Sequence, residues 1–218
     1  MSLLNLDWIV ENFNKESFTF FEIGLAGIQQ SMSFELKKRI PKGKYCTFEA
    51  AEYWHDLNEE IALRHKIDYY KYAVCDIDGE VLFYPSLTQN GQVHTLSSSI
   101  FELYKGPYCN TFGKEYGEPY LTKSIRLETF CKENNLTPDF LHIDVEGAEF
   151  KVFQNMGEYK PKCIWTEIGG FKHYNTETSF EEVNSYLQNI GYYLVHIEET
   201  NLNDALYCLE DFEITEYK

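Results

Sequence analysis

The stretch Phe-Leu-His-Ile-Asp-Val-Glu-Gly-Ala-Glu, residues 140–149, decides the fold class of this chain. A short apolar run ends there in three carboxylates, Asp144, Glu146 and Glu149, with Gly147 between them. Buried parallel strands have continuous apolar sequences, and open α/β sheets bind their ligands at the carboxyl ends of such strands. The stretch therefore predicts a buried strand whose end faces a ligand-binding crevice.

Strand and helix patterns alternate on both sides of this stretch, which predicts parallel βαβ units. The predicted core strands are residues 17–23, 44–48, 69–75, 140–144, 163–168, 192–197 and 205–209. The loop between the last two is far too short for a helical crossover, so these strands should be antiparallel. The expected fold class is α/β, with a seven-stranded, mostly parallel sheet whose last strand is antiparallel.

Two segments after the third strand depart from the alternation. Asp78-Gly79 followed by residues 80–84 predicts a hairpin return. Residues 86–122 are rich in glycine and predict an irregular insertion between strands 3 and 4. Because long loops inside a compact domain are usually functional, we expect this insertion to be a lid or substrate loop within one domain that spans residues 1–218.

Composition limits the classes of function and partner. The formal net charge of −16 argues against a duplex-binding protein, since phosphate contacts need a clustered cationic surface. No apolar run approaches the roughly 20 residues that span a bilayer, and the chain shows no secretory signal. None of the six cysteines forms a Cys-x-x-Cys pair. We expect a cytoplasmic protein with reduced cysteines and with neither nucleic acid nor membrane as partner.

The turn after the first strand, residues 22–27 (Glu-Ile-Gly-Leu-Ala-Gly), is typical of a ligand-binding turn. Glycines allow a ligand to approach the backbone closely, and the following helix offers unpaired N–H groups. Glu49 ends the second strand, where an acidic side chain can accept hydrogen bonds from ribose hydroxyls. The pair predicts a cofactor that contains a ribose.

Residues 143–149, Ile-Asp-Val-Glu-Gly-Ala-Glu, resemble the core motif of the FkbM-type S-adenosylmethionine-dependent methyltransferases. The similarity extends from Phe20 to about Leu209. It implies the class I methyltransferase fold, which is Rossmann-like, with strand order 3-2-1-4-5-7-6. It also implies S-adenosylmethionine as the cofactor.

The resemblance assigns the cofactor contacts to the ends of the first four strands. The turn would hold the amino acid and ribose, Glu49 the ribose diol, and the end of the third strand the adenine. The implied cofactor-binding residues are Glu22, Gly24, Gly27, Glu49, Ala73, Val74 and Asp144. The family usually shows Gly-Ala-Asn-x-Gly in the turn, whereas here Ala26 replaces Asn and Ile28 takes the second glycine position. The backbone path of the turn should therefore differ from that of the family.

Methyl transfer to a hydroxyl needs a general base or a metal, because an alcohol is a poor nucleophile. Asp144 should lie nearest the transferred methyl group, Glu146 follows it in the turn, and His173 could accept a proton near pH 7. These three are the candidate catalytic residues. Mg²⁺ held by Asp144 and Glu167 is the alternative, and it is not favoured because no compact ligand cluster is visible in the sequence. Glu149 is interpreted as a partner of the helix N-terminus.

The expected function is O-methylation of a hydroxyl on a sugar or another small metabolite. The alternative is a noncatalytic or different nucleotide-binding domain with the same fold, such as a domain that binds NAD, since a fold does not determine a function. The chain lacks a full Gly-x-Gly-x-x-Gly and carries Asp144-Val-Glu-Gly, and both features argue against a nicotinamide dehydrogenase.

Overall fold

A computed structural model describes residues 5–87, 98–102, 115–168, 178–198 and 204–217. The strands in these ranges are β1 Thr19–Ile23, β2 Lys44–Phe48, β3 Asp68–Tyr70, β4 Ala73–Val74, β5 Gly79–Phe83, β6 Ser86–Leu87, β7 Glu115–Tyr116, β8 Tyr120–Ile125, β9 Phe140–Ile143, β10 Cys163–Glu167, β11 Tyr192–Glu198 and β12 Asp204–Leu209. The helices are α1 Leu6–Asn12, a 3₁₀ turn at Ile28–Gln30, α2 Met32–Arg39, α3 Glu52–His65, α4 Leu127–Asn134, α5 Glu149–Gln154 and α6 Phe180–Asn189.

The main sheet has seven strands in the order β3-β2-β1-β9-β10-β12-β11. The pairs from β3 to β10 are parallel, and β12 is antiparallel to both β10 and β11. Numbered along the chain, these core strands have the order 3-2-1-4-5-7-6, so the expected class I methyltransferase fold with an antiparallel last strand is confirmed. The short loop before β12 explains the antiparallel pairing, because a parallel connection needs a longer crossover.

Both faces of the sheet are buried, as the apolar strand sequences predict. Phe20 of β1 packs on one face with residues of α1, α2 and α3, and Phe21 packs on the other face with residues of α4, α5 and α6. Both phenylalanines have 0% of their surface exposed. Burial of one such side chain contributes about 1.5 to 3 kcal/mol. These two apolar layers hold the strand ends in register at the edge where the candidate site lies.

The third predicted strand and the hairpin after it need correction. Residues 69–75 do not form one strand, because β3 belongs to the main sheet and β4 to a separate sheet of order β4-β8-β5. The predicted hairpin is wrong: β5 is antiparallel to β8, with Gly79 opposite Ser124. The Asp78 carboxylate accepts hydrogen bonds from the backbone N–H and Nε of Arg126 and from the Thr129 hydroxyl. These contacts attach the turn to the end of β8.

The insertion, residues 86–122, was predicted to be irregular, but its described part contains short strands. In the described part, β6 pairs antiparallel with β7, and β8 begins at Tyr120. The Ser99 hydroxyl donates a hydrogen bond to the backbone carbonyl of Glu146 at 2.7 Å. The insertion therefore contacts the turn that follows β9. The rest of it, residues 88–97 and 103–114, lies outside the described residues.

Two helices begin directly after a serine that caps their first turn. The apolar stripe from Ile28 to Ile40 predicts one helix, but Ser31 caps α2 by accepting the Phe34 N–H and separates α2 from the preceding 3₁₀ turn. Ser179 and Glu182 form a capping box at the start of α6, as the Ser-x-x-Glu spacing predicts. Across the described ranges, no helix is long and apolar enough to span a membrane.

Candidate functional site

The turn after β1 is built around Gly24. Its φ is +82°, and a Cβ on it would lie 1.7 Å from the backbone oxygen of Asp144. The Gly24 N–H donates to the Phe48 carbonyl at 3.0 Å, and the Asp144 N–H donates to the Ile23 carbonyl at 2.9 Å. Only glycine fits at this position, because the ends of β1, β2 and β9 meet there.

Ala26 takes an unusual conformation in the same turn, with a φ of +49°. Its N–H donates to Oε2 of Glu49 at 2.7 Å, and its carbonyl accepts a hydrogen bond from Nδ2 of Asn58 at 2.6 Å. Oδ1 of Asn58 accepts the Ile28 N–H at 2.9 Å. The turn is thus held by side chains from β2 and α3, and its backbone path follows these contacts.

Glu49 lies where the sequence predicts it, directly after β2 and next to the turn. Its Oε1 accepts the Ala51 N–H at 2.7 Å, while Oε2 accepts the Ala26 N–H, and the residue is 7% exposed. Burial raises the pKa of Glu49 to about 7, and the Asp144 carboxyl adds to the rise. Each carboxylate oxygen has two lone pairs, so Glu49 can still accept hydrogen bonds from ligand hydroxyls.

Both carboxylate oxygens of Glu22 accept hydrogen bonds from the protein backbone. Its Oε1 accepts the Met32 N–H at 2.9 Å and its Oε2 accepts the Ser33 N–H at 2.8 Å. Burial opposes the ionisation of Glu22, but contacts with His142 and Ser33 favour it more strongly, so the pKa of Glu22 is lowered. Nδ1 of His142 is 3.5 Å from Oε1 of Glu22. The carboxylate stabilises the start of α2, where N–H groups lack helical partners. A direct contact of Glu22 with a cofactor stays a prediction.

The end of the third predicted strand is covered. Ala73 is 6% exposed and Val74 is 3% exposed, and Ala73 packs against Ala51 and Phe83. These side chains present little surface to a ligand. Their predicted contact with an adenine ring stays a prediction.

A pocket of about 220 Å³ opens beside Ala51, two residues after Glu49. Three of its seven lining residues are aromatic, and the walls come from the start of α3, from Pro85 and from the insertion. The lining residues are Ala51, Glu52, Tyr53, Trp54, Pro85, Ser98 and Tyr120. Trp54 also packs on Gly27, since a Cβ on Gly27 would lie 3.2 Å from its ring. The pocket and the turn after β1 therefore share one wall.

A row of carboxylates crosses the same edge of the sheet from β9 to β11. Strand register places Glu167 beside Asp144 and opposite Asp204, which in turn lies opposite Glu198. Burial raises the pKa of Asp144 to about 7, and neighbouring acidic groups, Glu146 first among them, add to it. Burial and Asp144 together raise the pKa of Glu167 to about 9. A carboxyl group with a pKa near 7, such as Asp144, can exchange a proton near neutral pH.

One oxygen of the Asp144 carboxylate is left without a hydrogen bond from the described part of the protein. Its Oδ1 is buried and has no hydrogen-bond partner among the described residues. Glu149, in contrast, folds back over its own turn and accepts the N–H groups of Val145 at 3.0 Å and Gly147 at 3.2 Å. Glu149 therefore stabilises the turn at the start of α5.

The other candidate catalytic groups are less defined. Glu146 has a φ of +55°. Its carbonyl accepts a hydrogen bond from the Ser99 hydroxyl, which connects the turn after β9 to the insertion. Its catalytic role stays a prediction. His173 lies outside the described residues. Within the described part of the chain, no group of three or more His, Cys, Asp or Glu side chains has a geometry that could hold a metal ion.

The sequence also matches one known protein family. The family model of the methyltransferase FkbM domain matches residues 11–194. The chain belongs to this family. The FkbM resemblance of residues 143–149 is therefore confirmed. A search of curated proteins finds no match.

Several solved structures are similar to this FkbM domain. The methyltransferase FkbM from Methylobacillus flagellatus has a TM-score of 0.53 and 12% identity, over 88% of this chain and 44% of that protein. The chain thus spans less than half of that protein's length. Precorrin-6y C5,15-methyltransferase from Geobacter metallireducens has a TM-score of 0.49 and 9% identity, over 94% of this chain and 86% of that one. TrmK of M. capricolum, in complex with S-adenosylhomocysteine, has a TM-score of 0.49 and 10% identity, over 100% of this chain and 73% of that one.

Asn58 is the site residue of this FkbM domain that sequence reasoning missed. The stripe of Trp54, Leu57 and Ile61 predicts the buried face of α3, but Leu57 is 47% exposed and Asn58 is 0% exposed. Asn58 stands four residues after Trp54 and three before Ile61, so it shares their face of the helix. A polar residue at that spacing was the available signal.

Proposed function

We propose that this chain binds S-adenosylmethionine and transfers its methyl group to a hydroxyl of a saccharide-like small molecule. The observation that carries the proposal is the meeting of three groups at one sheet edge: the Gly24 turn, the Glu49 carboxylate and the Asp144 carboxylate. Family membership supports methyl transfer as the reaction class. The acceptor and the site of methylation rest on the proposal alone.

The residues present fit the parts of this cofactor. S-adenosylmethionine supplies a methyl group on a positively charged sulfur, which is open to in-line attack. Glu49 would accept the ribose hydroxyls, because it is an acceptor fixed by two backbone N–H groups. The pocket beside Ala51 has about 220 Å³ of space, sufficient for one planar ring, and Trp54 supplies an aromatic wall for it.

Asp144 would receive the proton of the acceptor hydroxyl. With a pKa raised to about 7, it is partly ionised at neutral pH and can take up a proton there. Glu167, whose pKa is raised to about 9, is protonated at that pH and can donate a hydrogen bond to a second hydroxyl. Neighbouring donors and acceptors of this kind suit a polyhydroxylated acceptor. We therefore favour a saccharide-like molecule.

Calorimetry with S-adenosylhomocysteine tests the cofactor assignment. Glu49→Gln keeps the shape of the side chain but removes its charge, so affinity should fall by roughly 1.5 to 3 kcal/mol, or about 10- to 150-fold. Glu60→Gln is the matched control, because Glu60 lies on the surface of α3, where among the described residues it pairs with Arg64 at 2.6 Å. Unchanged affinity in Glu49→Gln, or preferential binding of NADH by the unmodified chain, would contradict the assignment.

A methylation assay over monosaccharides and nucleotide sugars tests the acceptor and Asp144. Asp144→Asn should lower turnover by about 10² to 10⁴-fold, the usual effect of losing a positioned base, with little change in cofactor affinity. Full activity in this variant would remove Asp144 from proton transfer. Activity that is lost with EDTA and restored by Mg²⁺ would show that a bound metal, and not a general base, activates the acceptor hydroxyl.

A further inference from the structure

The turn after β1 holds a non-glycine residue in a conformation that disfavours it. Ala26 has a φ of +49°, in the left-handed region where a Cβ crowds the backbone. Such residues persist when the surrounding structure holds them, and they often lie at ligand sites. The contacts that hold Ala26 therefore matter for whatever the turn binds.

Two side chains hold Ala26, one on each side of its Cα. Glu49 accepts its N–H at 2.7 Å, and Asn58 donates to its carbonyl oxygen at 2.6 Å. Because the N–H and the carbonyl belong to the two peptide planes that flank the Cα, anchoring both restrains φ and ψ together. Asn58 also accepts the Ile28 N–H at 2.9 Å and so spans the turn on both sides of Gly27.

The position of Asn58 makes it the rigid member of this arrangement. Its side chain is 0% exposed and stands on α3, a helix of 14 residues. Trp54, four residues earlier on the same helix, packs on Gly27. Glu49 follows a strand end and is the residue that the proposed cofactor would share. We therefore expect α3 to fix Asn58, Asn58 to restrain Ala26, and Ala26 to align Glu49.

We propose that Asn58 is a positioning residue for the cofactor: it holds Ala26 in its left-handed conformation and thereby keeps Glu49 aligned to receive the ribose. This inference rests on the proposed S-adenosylmethionine site. A turn that is already ordered binds its ligand without a further loss of conformational entropy. Loss of Asn58 should therefore weaken cofactor binding, while the chemical step at Asp144 is little affected once the cofactor is bound.

Three variants test the role of Asn58. Asn58→Leu removes both hydrogen bonds at similar volume, and Asn58→Asp keeps an acceptor for Ile28 but sets a carboxylate against the Ala26 carbonyl. Both should raise the dissociation constant for S-adenosylhomocysteine, and the KM for S-adenosylmethionine, by about tenfold or more. The kcat at saturating cofactor should stay within about threefold. Leu63→Ala, a change on the same helix at a side chain that is 82% exposed, should leave both constants unchanged.

Rescue separates positioning from a merely structural role. Glycine adopts a positive φ without strain, so Ala26→Gly in the Asn58→Leu background should recover part of the lost affinity. A purely structural asparagine would give no such recovery, because Ala26→Gly does not refill the core around α3. The double-mutant cycle measures this coupling directly.

The outcomes distinguish this inference from the proposed function. If the unmodified chain does not bind S-adenosylhomocysteine, the proposed function fails. If it binds, and a folded Asn58→Leu or Asn58→Asp protein binds equally well, the positioning role is overturned and the proposed function stands. Melting curves identify folded protein, and Asn58→Asp decides the matter if Asn58→Leu does not fold. Weaker binding without rescue by Ala26→Gly also overturns the role assigned to Ala26.

Discussion

Replacing Gly24 with alanine should destabilise the chain far more than an ordinary Gly→Ala change. A Cβ at this position would lie 1.7 Å from the Asp144 carbonyl oxygen, whereas ordinary contacts begin at 3.4 Å. The oxygen belongs to the backbone, and the Asp144 N–H is bonded to the Ile23 carbonyl at 2.9 Å. It cannot rotate away as a side chain would. The substitution must therefore separate the ends of β1 and β9.

The size of the effect follows from two contributions. A left-handed φ costs a non-glycine residue about 1 to 2 kcal/mol. Separating the strand ends adds the loss of buried backbone hydrogen bonds, at about 1 to 3 kcal/mol each. The sum is about 4 kcal/mol or more, which lies in the exceptional range for one substitution. For a chain of this length, about 2 to 4 °C of melting temperature corresponds to each kcal/mol, so the Tm should fall by about 8 to 16 °C.

Gly191→Ala is the matched control for backbone strain. Gly191 has a φ of +95°, but a Cβ there meets nothing within 4 Å. It should therefore lose only the strain contribution, with a fall of about 2 to 8 °C. Thermal unfolding followed by circular dichroism compares the two proteins under identical conditions. Equal falls in Tm for Gly24→Ala and Gly191→Ala would refute the steric reasoning.

Further predictions concern buried carboxylates. The pKa values of Glu49 and Glu167 are raised to about 7 and about 9, so the folded chain binds protons that the unfolded chain releases above about pH 4.5. Stability should therefore fall as pH rises from 5.5 to 8, and Glu167→Gln should reduce that fall. A Tm that increases over this interval contradicts the reasoning. Glu22→Ala should lower stability by about 2 to 4 kcal/mol in urea unfolding, because the N–H groups of Met32 and Ser33 lose their acceptor. A loss below about 0.5 kcal/mol, typical of surface sites, would show that the start of α2 does not depend on Glu22.

The sequence alone predicted elements that have a clear local pattern. The range 44–48 was predicted for a strand, and β2 has those bounds. Apolar runs and capping residues are local, so they can be interpreted without knowledge of the rest of the chain. The strand order came from the resemblance carried by residues 143–149. In the same way, Gly24, Glu49 and Asp144 were found because each stands at the end of a predicted strand.

Only the tertiary structure decided which distant groups are partners. The sequence around Asp78-Gly79 is typical of a hairpin, yet β5 pairs with β8, because the turn is held by contacts to Arg126 and Thr129. Glu22 belongs to a cofactor motif, but its carboxylate binds the start of α2. Asn58 has no motif at all and still holds the turn after β1. A local pattern encodes which side chains are buried, but hydrogen-bond partners far apart in the chain are selected by the packing of the whole molecule.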